Sequence, residues 1–258
     1  IIMRLPSLIL SSLFFLMQAI PAQAMPAYAR LYKQQYGYMP SCHACHTEGG
    51  GTPVNHFGKA FKENGKNAAA LSKIAALDSD GDGFTNAIEA QAKANAGDKN
   101  STPSKVGTWL DLASLIPKEV QVLFPTIRSW LPKDATLTSA DIAAAKAMGA
   151  TLSMADENTI YIPVENQRPA GTALIFPAVF QGKTFFLLMT TDKQLKISKI
   201  QVMNAKNVPT AKTSKAYARL VGVAAQSVPT TTGTDIDAAI TQAVKNAGAL
   251  LYLRLKGA

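Results

Sequence analysis

Both cysteines of the 258-residue chain and two of its three histidines lie within residues 41–46, SCHACH. Cys42 and Cys45 are three positions apart and His46 follows directly, which is the C-x-x-C-H signature of covalent haem c attachment. In that chemistry the thiols form thioethers with the haem vinyl groups, and the adjoining imidazole ligates the iron. We therefore predict a haem c held by Cys42, Cys45 and His46.

Two other uses of this motif are less consistent with the sequence around it. A thioredoxin-like C-x-x-C would follow a strand of a βαβ unit. Here the motif follows YGYMP and precedes three glycines at 49–51, which is typical of a loop. A structural zinc site needs four ligands, and the chain has no second cysteine pair.

The second axial ligand of the iron is left open by the sequence. His56 lies ten residues after His46, and the intervening TEGGGTPVN stretch could fold its side chain over the opposite haem face. Met39 and Met25 are the other nearby soft ligands.

A second motif, DSDGDGFTNAIE at residues 78–89, matches the calcium-loop pattern D-x-[DN]-x-[DN]-G-x5-E. Calcium prefers several hard oxygen ligands, and Gly83 allows the sharp turn that such a loop requires. The alternative is a solvated acidic turn in which Asp82 or Thr85 caps a helix. The predicted ligands are Asp78, Asp80, Asp82, the Phe84 carbonyl, Asn86 and Glu89, in a structural calcium site.

The first 24 residues resemble an export signal. Met3-Arg4 provides a positive start, residues 8–17 are mostly apolar, and Ala22-Gln23-Ala24 forms a small-x-small cleavage site. The apolar stretch is too short for a comfortable membrane span. We expect an exported bacterial protein of the periplasm or cell surface, with no transmembrane segment after cleavage.

The chain has a net charge of +9, which suits an acidic partner. Nucleic acid is not an expected partner, because no basic-aromatic cluster or nucleic-acid motif is present. Seven basic residues and no acidic one lie between positions 193 and 219, and they predict docking to an acidic redox partner or an anionic cofactor: Lys193, Lys196, Lys199, Lys206, Lys212, Lys215 and Arg219.

The motifs must be positioned by two kinds of structure. We predict a mainly α cytochrome c unit with a calcium loop over 25–106, a helical connector over 107–135, and an α+β domain with an antiparallel sheet over 136–258. Strands are expected at 159–164, 172–180, 184–190 and 195–202, helices at 214–225 and 235–247, and a last strand at 249–255.

The N-terminal part resembles exported bacterial monohaem cytochromes c with an adjoining thrombospondin type 3-like or dockerin-like (EF-hand-like) calcium segment. The resemblance covers residues 25–106 and implies electron transfer. The matching pieces are the haem motif, LDSDGDGFTNAIEAQ, and the pairs Ala29-Arg30, Tyr36-Gly37, Phe57-Gly58 and Asn64-Gly65.

The C-terminal part resembles FMN-binding domains of bacterial electron-transfer complexes. Its Thr232-Gly233-Thr234 departs from their Gly-Ala-Thr signature, since alanine is absent. A flavin phosphate could sit at the helix start that follows, where backbone N–H groups are free, although an ordinary helix cap explains the same residues.

A monohaem electron carrier is favoured over a catalyst. The alternatives are a haem enzyme with an open distal site, a flavin-haem reductase, and a binding module that haem and calcium only stabilise.

Overall fold

The structure is a computed structural model and describes residues 25–47, 53–156 and 158–256. The predicted export signal, residues 1–24, lies outside the described residues. The first part of the described chain is helical: α1 (Met25–Tyr36), a 3₁₀ turn (Cys42–Ala44), α2 (His56–Glu63), α3 (Ala68–Ile74), α4 (Asn86–Gln91), α5 (Leu112–Leu115) and α6 (Lys118–Val122).

Side-chain caps determine where the central helices of this part begin. Asn55, Asn67 and Thr85 each accept a hydrogen bond from a backbone N–H of the first turn of α2, α3 and α4. Apolar side chains then face inward from each helix and form one buried cluster. Its largest members are Tyr32, Phe57, Phe61, Leu71, Ile74 and Trp109.

A six-stranded antiparallel sheet forms the second part, with the strand order β1-β2-β4-β5-β6 and β3 paired to β2. The longest ladder joins β4 to β5 through a tight turn at Gln181-Gly182, both of which have positive φ angles. The strands are β1 (Ser129–Ala135), β2 (Asn158–Glu165), β3 (Arg168–Pro169), β4 (Thr172–Phe180), β5 (Lys183–Thr191) and β6 (Ile197–Asn204).

Helices cover one face of this sheet. They are α8 (Ala216–Leu220) and the long α9 (Ile236–Leu255), and α7 (Ser139–Ala147) packs on α9. Alternate residues of a strand point to opposite faces, and Ile160, Leu174 and Leu187 all point toward α9. On α9 the matching residues include Ile240, Val244, Ala247 and Leu251.

The opposite face of the sheet is also buried. Tyr161, Ile175 and Leu188 pack there with Ile116 and Val120 of the α5–α6 region. The sheet is therefore an internal layer with helices on both sides, and this explains the nearly continuous apolar runs of β4 and β5.

The fold class predicted from the sequence is wrong. The described residues are 38% helix and 22% strand around a six-stranded antiparallel sheet, and they do not form a mainly α cytochrome unit. The physical reason is that the helices pack on the sheet: α1 contacts β2, and α5 contacts β1. In addition, the Nζ atom of Lys33 in α1 lies 3.8 Å from the Oδ2 atom of Asp134 in β1. The helical part shares a boundary with the sheet.

Two elements differ from the sequence-based expectation. Residues 249–255, predicted as a strand, continue α9 to Leu255. Residues 107–135, predicted as a helical connector, end in strand β1. Within the described residues, no helix combines the length and the apolar character that crossing a membrane requires.

Candidate functional site

The cysteine-histidine motif forms a compact turn. Ser41 caps it, because its Oγ accepts the backbone N–H of His43 at 3.2 Å. The carbonyl oxygen of Cys42 then accepts the N–H groups of Cys45 at 3.3 Å and His46 at 3.0 Å. Among the described residues, no disulfide joins Cys42 to Cys45. The backbone thus keeps the two thiols and the following imidazole within one helical turn.

Two asparagine side chains hold this turn in place. Asn55 donates its amide N–H groups to the carbonyls of His43 at 2.8 Å and Ala44 at 3.2 Å, while its Oδ1 accepts the Gly58 N–H at 2.8 Å. Asn95 donates to the same His43 carbonyl at 3.1 Å. Asn55 therefore both caps α2 and ties it to the motif.

Gly58 lets α2 approach the motif closely. A Cβ atom at this position would lie 2.2 Å from the carbonyl oxygen of Cys45. That carbonyl also accepts the backbone N–H of Asn55 at 2.9 Å. The Phe57-Gly58 pair quoted above is therefore a packing requirement, in which glycine admits the turn and phenylalanine enters the core.

Cys42, Cys45 and His46 line a cavity of about 380 Å³. Its walls come from α1, α2, the segment before the motif and, unexpectedly, from the sheet. The main lining residues are Tyr28, Tyr32, Met39, Phe57, Phe61 and Leu71 from the helical part, with Leu115, Pro117, Pro132, Tyr161 and Ile175 from the sheet and its approach.

This cavity suits a haem in size, lining and reactive groups. Its volume lies in the range of about 300–1,000 Å³ that is usual for cofactor sites. Aromatic and aliphatic side chains match an apolar macrocycle, and the two thiols stand on its wall beside an imidazole. Lys33, Lys62 and Lys66 also line the cavity and could pair with the carboxylates of such a cofactor.

The structure distinguishes between the candidate second axial ligands. His56 is exposed at the first position of α2 and is not among the described residues that line the cavity. Met39 does line it. The side chain of Met25 lies outside the described part of the chain.

Burial raises the pKa values of one thiol and two of the tyrosines that line the cavity. It raises the pKa of the Cys45 thiol to about 12, with a smaller contribution from nearby Cys42. Burial likewise raises the pKa values of Tyr32 and Tyr161 above their ordinary range. A thiol in this environment stays protonated at neutral pH, so covalent attachment would need the thiolate to form by proton loss first.

The acidic loop brings its carboxylates together. One oxygen from each of Asp78, Asp80 and Asp82 lies within 4.8 Å of the others. Glu89 is fully buried, and neither of its carboxylate oxygens has a hydrogen-bond partner. Gly83 has a φ angle of 97°, which makes the turn. A buried carboxylate without a partner is costly, so this arrangement fits a cation.

Two predicted calcium ligands have structural contacts of their own. The Asn86 Oδ1 atom accepts the Ser79 N–H at 3.3 Å, and its amide donates to the Ile74 carbonyl at 2.7 Å. Asn86 thus holds the loop against α3. The backbone N–H of Phe84 donates to the Oδ1 atom of Asp82 at 2.8 Å.

The crowding of carboxyl groups in the loop shifts their pKa values. Burial, followed by repulsion from Asp80, raises the pKa of Glu89 to about 8. Burial, followed by repulsion from Asp82, raises the pKa of Asp80 to about 6. The pKa of Asp78 is lowered, chiefly by the Gly83 backbone N–H. A divalent cation would remove the repulsion that produces the two raised values.

The segment proposed to meet a flavin phosphate is an ordinary helix start. Thr232, Gly233 and Thr234 precede α9, and Asp235 caps the helix by accepting the Ala238 N–H at 2.8 Å. A carboxylate therefore already occupies the position that an anion would take. The seven basic residues between 193 and 219 are all exposed, and Arg219 pairs with Asp237 at 3.2 Å.

Several site residues were not identified from sequence. Tyr161 and Ile175 form the sheet wall of the cavity, and only the long-range packing of strands on helices brings them there. Asn95 gave no motif signal. Asn55 could have been found, because asparagine is a preferred residue at the start of a helix. Comparison of the chain with protein-family models, curated proteins and solved structures finds no match.

Proposed function

We propose that this protein is an exported c-type monohaem protein that transfers electrons, with a structural calcium site. One observation carries the proposal. Cys42, Cys45 and His46 lie on one hydrogen-bonded turn, and all three residues line the same apolar cavity of about 380 Å³. A loop disulfide or a solvent-facing zinc site would not need such a cavity.

The residues have distinct roles in this proposal. Cys42 and Cys45 would attach the haem through thioethers, and His46 would ligate its iron. When bound, the haem supplies a one-electron ferric–ferrous couple. Phe57 and Phe61, which are almost fully buried, exclude water from the cofactor, and exclusion of water is one of the factors that set a haem reduction potential.

The calcium site would brace the motif rather than sense calcium. Asp78, Asp80, Asp82 and Glu89 supply the carboxylates, and Phe84 supplies its carbonyl. Extracellular calcium modules typically bind with dissociation constants of about 10⁻⁴–10⁻³ M, which suits constant occupancy outside the cell.

The proposed partner is an acidic redox protein. The exposed basic residues between 193 and 219 give it a complementary surface, and such surfaces chiefly increase the rate of encounter. The proposed location is the periplasm or the cell surface.

A second candidate function is a haem enzyme with an open distal position, acting on peroxide or a small gas. The observation in its favour is that His56 is exposed and does not line the cavity. Met39, which does line it, is the other candidate axial ligand with a described side chain. A six-coordinate spectrum that carbon monoxide does not change would support electron transfer, and a carbon monoxide complex would support the enzyme.

The decisive experiment is production of the full chain in a bacterial host that ligates haem to exported proteins. We expect one haem mass on the intact chain and red colour that resists acid-acetone extraction. The variant Cys42→Ala, Cys45→Ala should carry no covalent haem. A wild-type chain without added mass, matured beside a control cytochrome that does acquire haem, would overturn the proposal.

A further inference from the structure

The helix that leaves the calcium loop is hydrogen-bonded to the segment that precedes the cysteine-histidine turn. Glu89, the last predicted ligand of the loop, lies in α4. Its neighbour Ala90 accepts the Tyr38 hydroxyl at 2.9 Å, and Tyr38 in turn lies 3.0 Å from the hydroxyl of Tyr32, which lines the cavity. The short helix α4 therefore carries a predicted calcium ligand, Glu89, and also accepts a hydrogen bond from Tyr38, which contacts Tyr32 in the cavity wall.

A second and more direct connection runs through Asn95. The chain turns sharply after α4, where Ala94 donates its N–H to the Glu89 carbonyl at 2.8 Å and Lys93 has a φ angle of 62°. This turn places the Asn95 amide 3.1 Å from the carbonyl of His43, inside the motif. Asn95 is only 5% exposed, and its hydrogen bond to His43 is partly buried.

The contact is reinforced by close packing. The Asn95 Oδ1 atom accepts the Gly97 N–H at 3.1 Å. A Cβ atom on Gly97 would lie 2.3 Å from the side chain of Asn55, the other residue that donates to the His43 carbonyl. The segment after α4 and the cap of α2 thus hold one carbonyl of the motif between them.

We propose that calcium binding by the 78–89 loop and the geometry of the haem-attachment turn are coupled through Asn95, which acts as a positioning residue. This inference rests on the proposed function. The buried Glu89 carboxylate without a hydrogen-bond partner is the part of the coupling that responds to the ion. Calcium holds Glu89 inward, which fixes α4 and the turn that carries Asn95. Without the ion, the buried Glu89 carboxyl group has no partner and nothing holds it among the crowded acidic side chains of the loop, so the end of α4 loosens.

Coupling between equilibria is reciprocal, so any change that orders the cysteine-histidine turn must also tighten calcium binding by the same factor. The expected factor is about 5- to 150-fold, the usual range for coupled sites. The reciprocal effect provides a readout that does not depend on electron transfer.

The test uses the full chain without haem and follows hydrogen exchange of the His46 backbone N–H, which donates to the Cys42 carbonyl at 3.0 Å. Calcium should slow this exchange at least about fivefold relative to chelator. In Asn95→Ala the calcium effect should disappear while calorimetry still detects calcium binding. Asn100→Ala, an exposed asparagine in the same segment, should behave as wild type.

Glu89→Gln leaves the Asn95 side chain unaltered and removes one carboxylate from the ion site. In calcium, its His46 exchange should match that of calcium-free wild type, and this holds as a test even if Asn95→Ala does not fold. Exchange in wild type that calcium does not change, or a calcium effect that persists in Asn95→Ala, would overturn the coupling. Calcium-dependent exchange in a chain that never acquires haem would support the coupling and overturn the haem function alone.

Discussion

Replacing Gly58 by alanine is expected to force α2 away from the cysteine-histidine turn. The added Cβ would lie 2.2 Å from the Cys45 carbonyl oxygen, whereas ordinary contact begins at 3.4 Å, so the two backbones must separate by about 1 Å. Overpacking a filled interior costs about 1–3 kcal/mol, and alanine returns about 0.5–1 kcal/mol through its better helix propensity. Strain on the Asn55–Cys45 hydrogen bond adds to the loss, and we expect a net destabilisation of about 1–2 kcal/mol.

Gly248→Ala is a matched control for this substitution. Gly248 lies in α9, and a Cβ there would be 2.1 Å from the Ala225 carbonyl, which is the same kind of clash at a place remote from the motif. Both variants should lose similar stability in urea unfolding of the full chain. Only Gly58→Ala should also lose covalent haem, measured as the fraction of intact chains that carry the haem mass.

Two results would refute this reasoning. Gly58→Ala with wild-type stability would mean that the close approach of α2 does not constrain the motif. Equal haem loss in Gly58→Ala and Gly248→Ala would mean that attachment reports overall stability and not the position of the turn.

Three further predictions concern the calcium loop, the axial ligand and acid stability. Glu89→Gln should weaken calcium binding, measured by calorimetry, by more than about tenfold. Loss of a residue that only hydrogen-bonds a metal ligand already costs about tenfold in affinity, and Glu89 is a predicted ligand itself. His56→Ala should leave the haem spectrum unchanged because its side chain is exposed, whereas Met39→Ala should alter it. The capping box at the start of α7, with help from Arg254, lowers the pKa of Asp141. The capping box stabilises the folded protein by about 0.5–2 kcal/mol. This stabilisation is complete above the ordinary aspartate pKa and is lost as the pH falls through the lower native pKa of Asp141. Asp141→Asn should remove this pH dependence from acid unfolding.

Each of these expectations has a contrary outcome. Unchanged calcium affinity in Glu89→Gln would exclude that carboxylate as a ligand, with Glu63→Gln on the exposed face of α2 as the control. A spectrum that changes in His56→Ala would bring His56 into the cavity. Equal acid sensitivity in Asp141→Asn and wild type would remove the capping box as its source.

The sequence was most informative where chemistry and local structure coincide. The C-x-x-C-H and calcium-loop residues are adjacent in the chain, so their spacing alone brought them together. Strands expected at 172–180 and 184–190 coincide closely with β4 and β5, because β-branched and aromatic runs between turn residues are a strong local signal.

The remaining differences arise from packing over long distances. Residues 249–255 are apolar throughout, and a short apolar run does not distinguish a buried strand from a buried helix. In β1, Pro132 and the preceding apolar residues resemble a helical segment, although the strand lies at the sheet edge, where proline is tolerated. The sheet wall of the cavity depends on contacts between Tyr161 or Ile175 and distant helices, which no local pattern contains.

The placement of that wall has a consequence for biogenesis. A polypeptide is made and exported from its N-terminus, and N-terminal regions generally fold first. The thiols of Cys42 and Cys45 precede in the chain the strand residues Tyr161 and Ile175 that complete their enclosure. Under the proposed function, an enzyme that attaches haem would therefore have its easiest access to the two thiols before the later strands have paired. Haem that arrives after folding would have to enter a cavity that the sheet already encloses on one side.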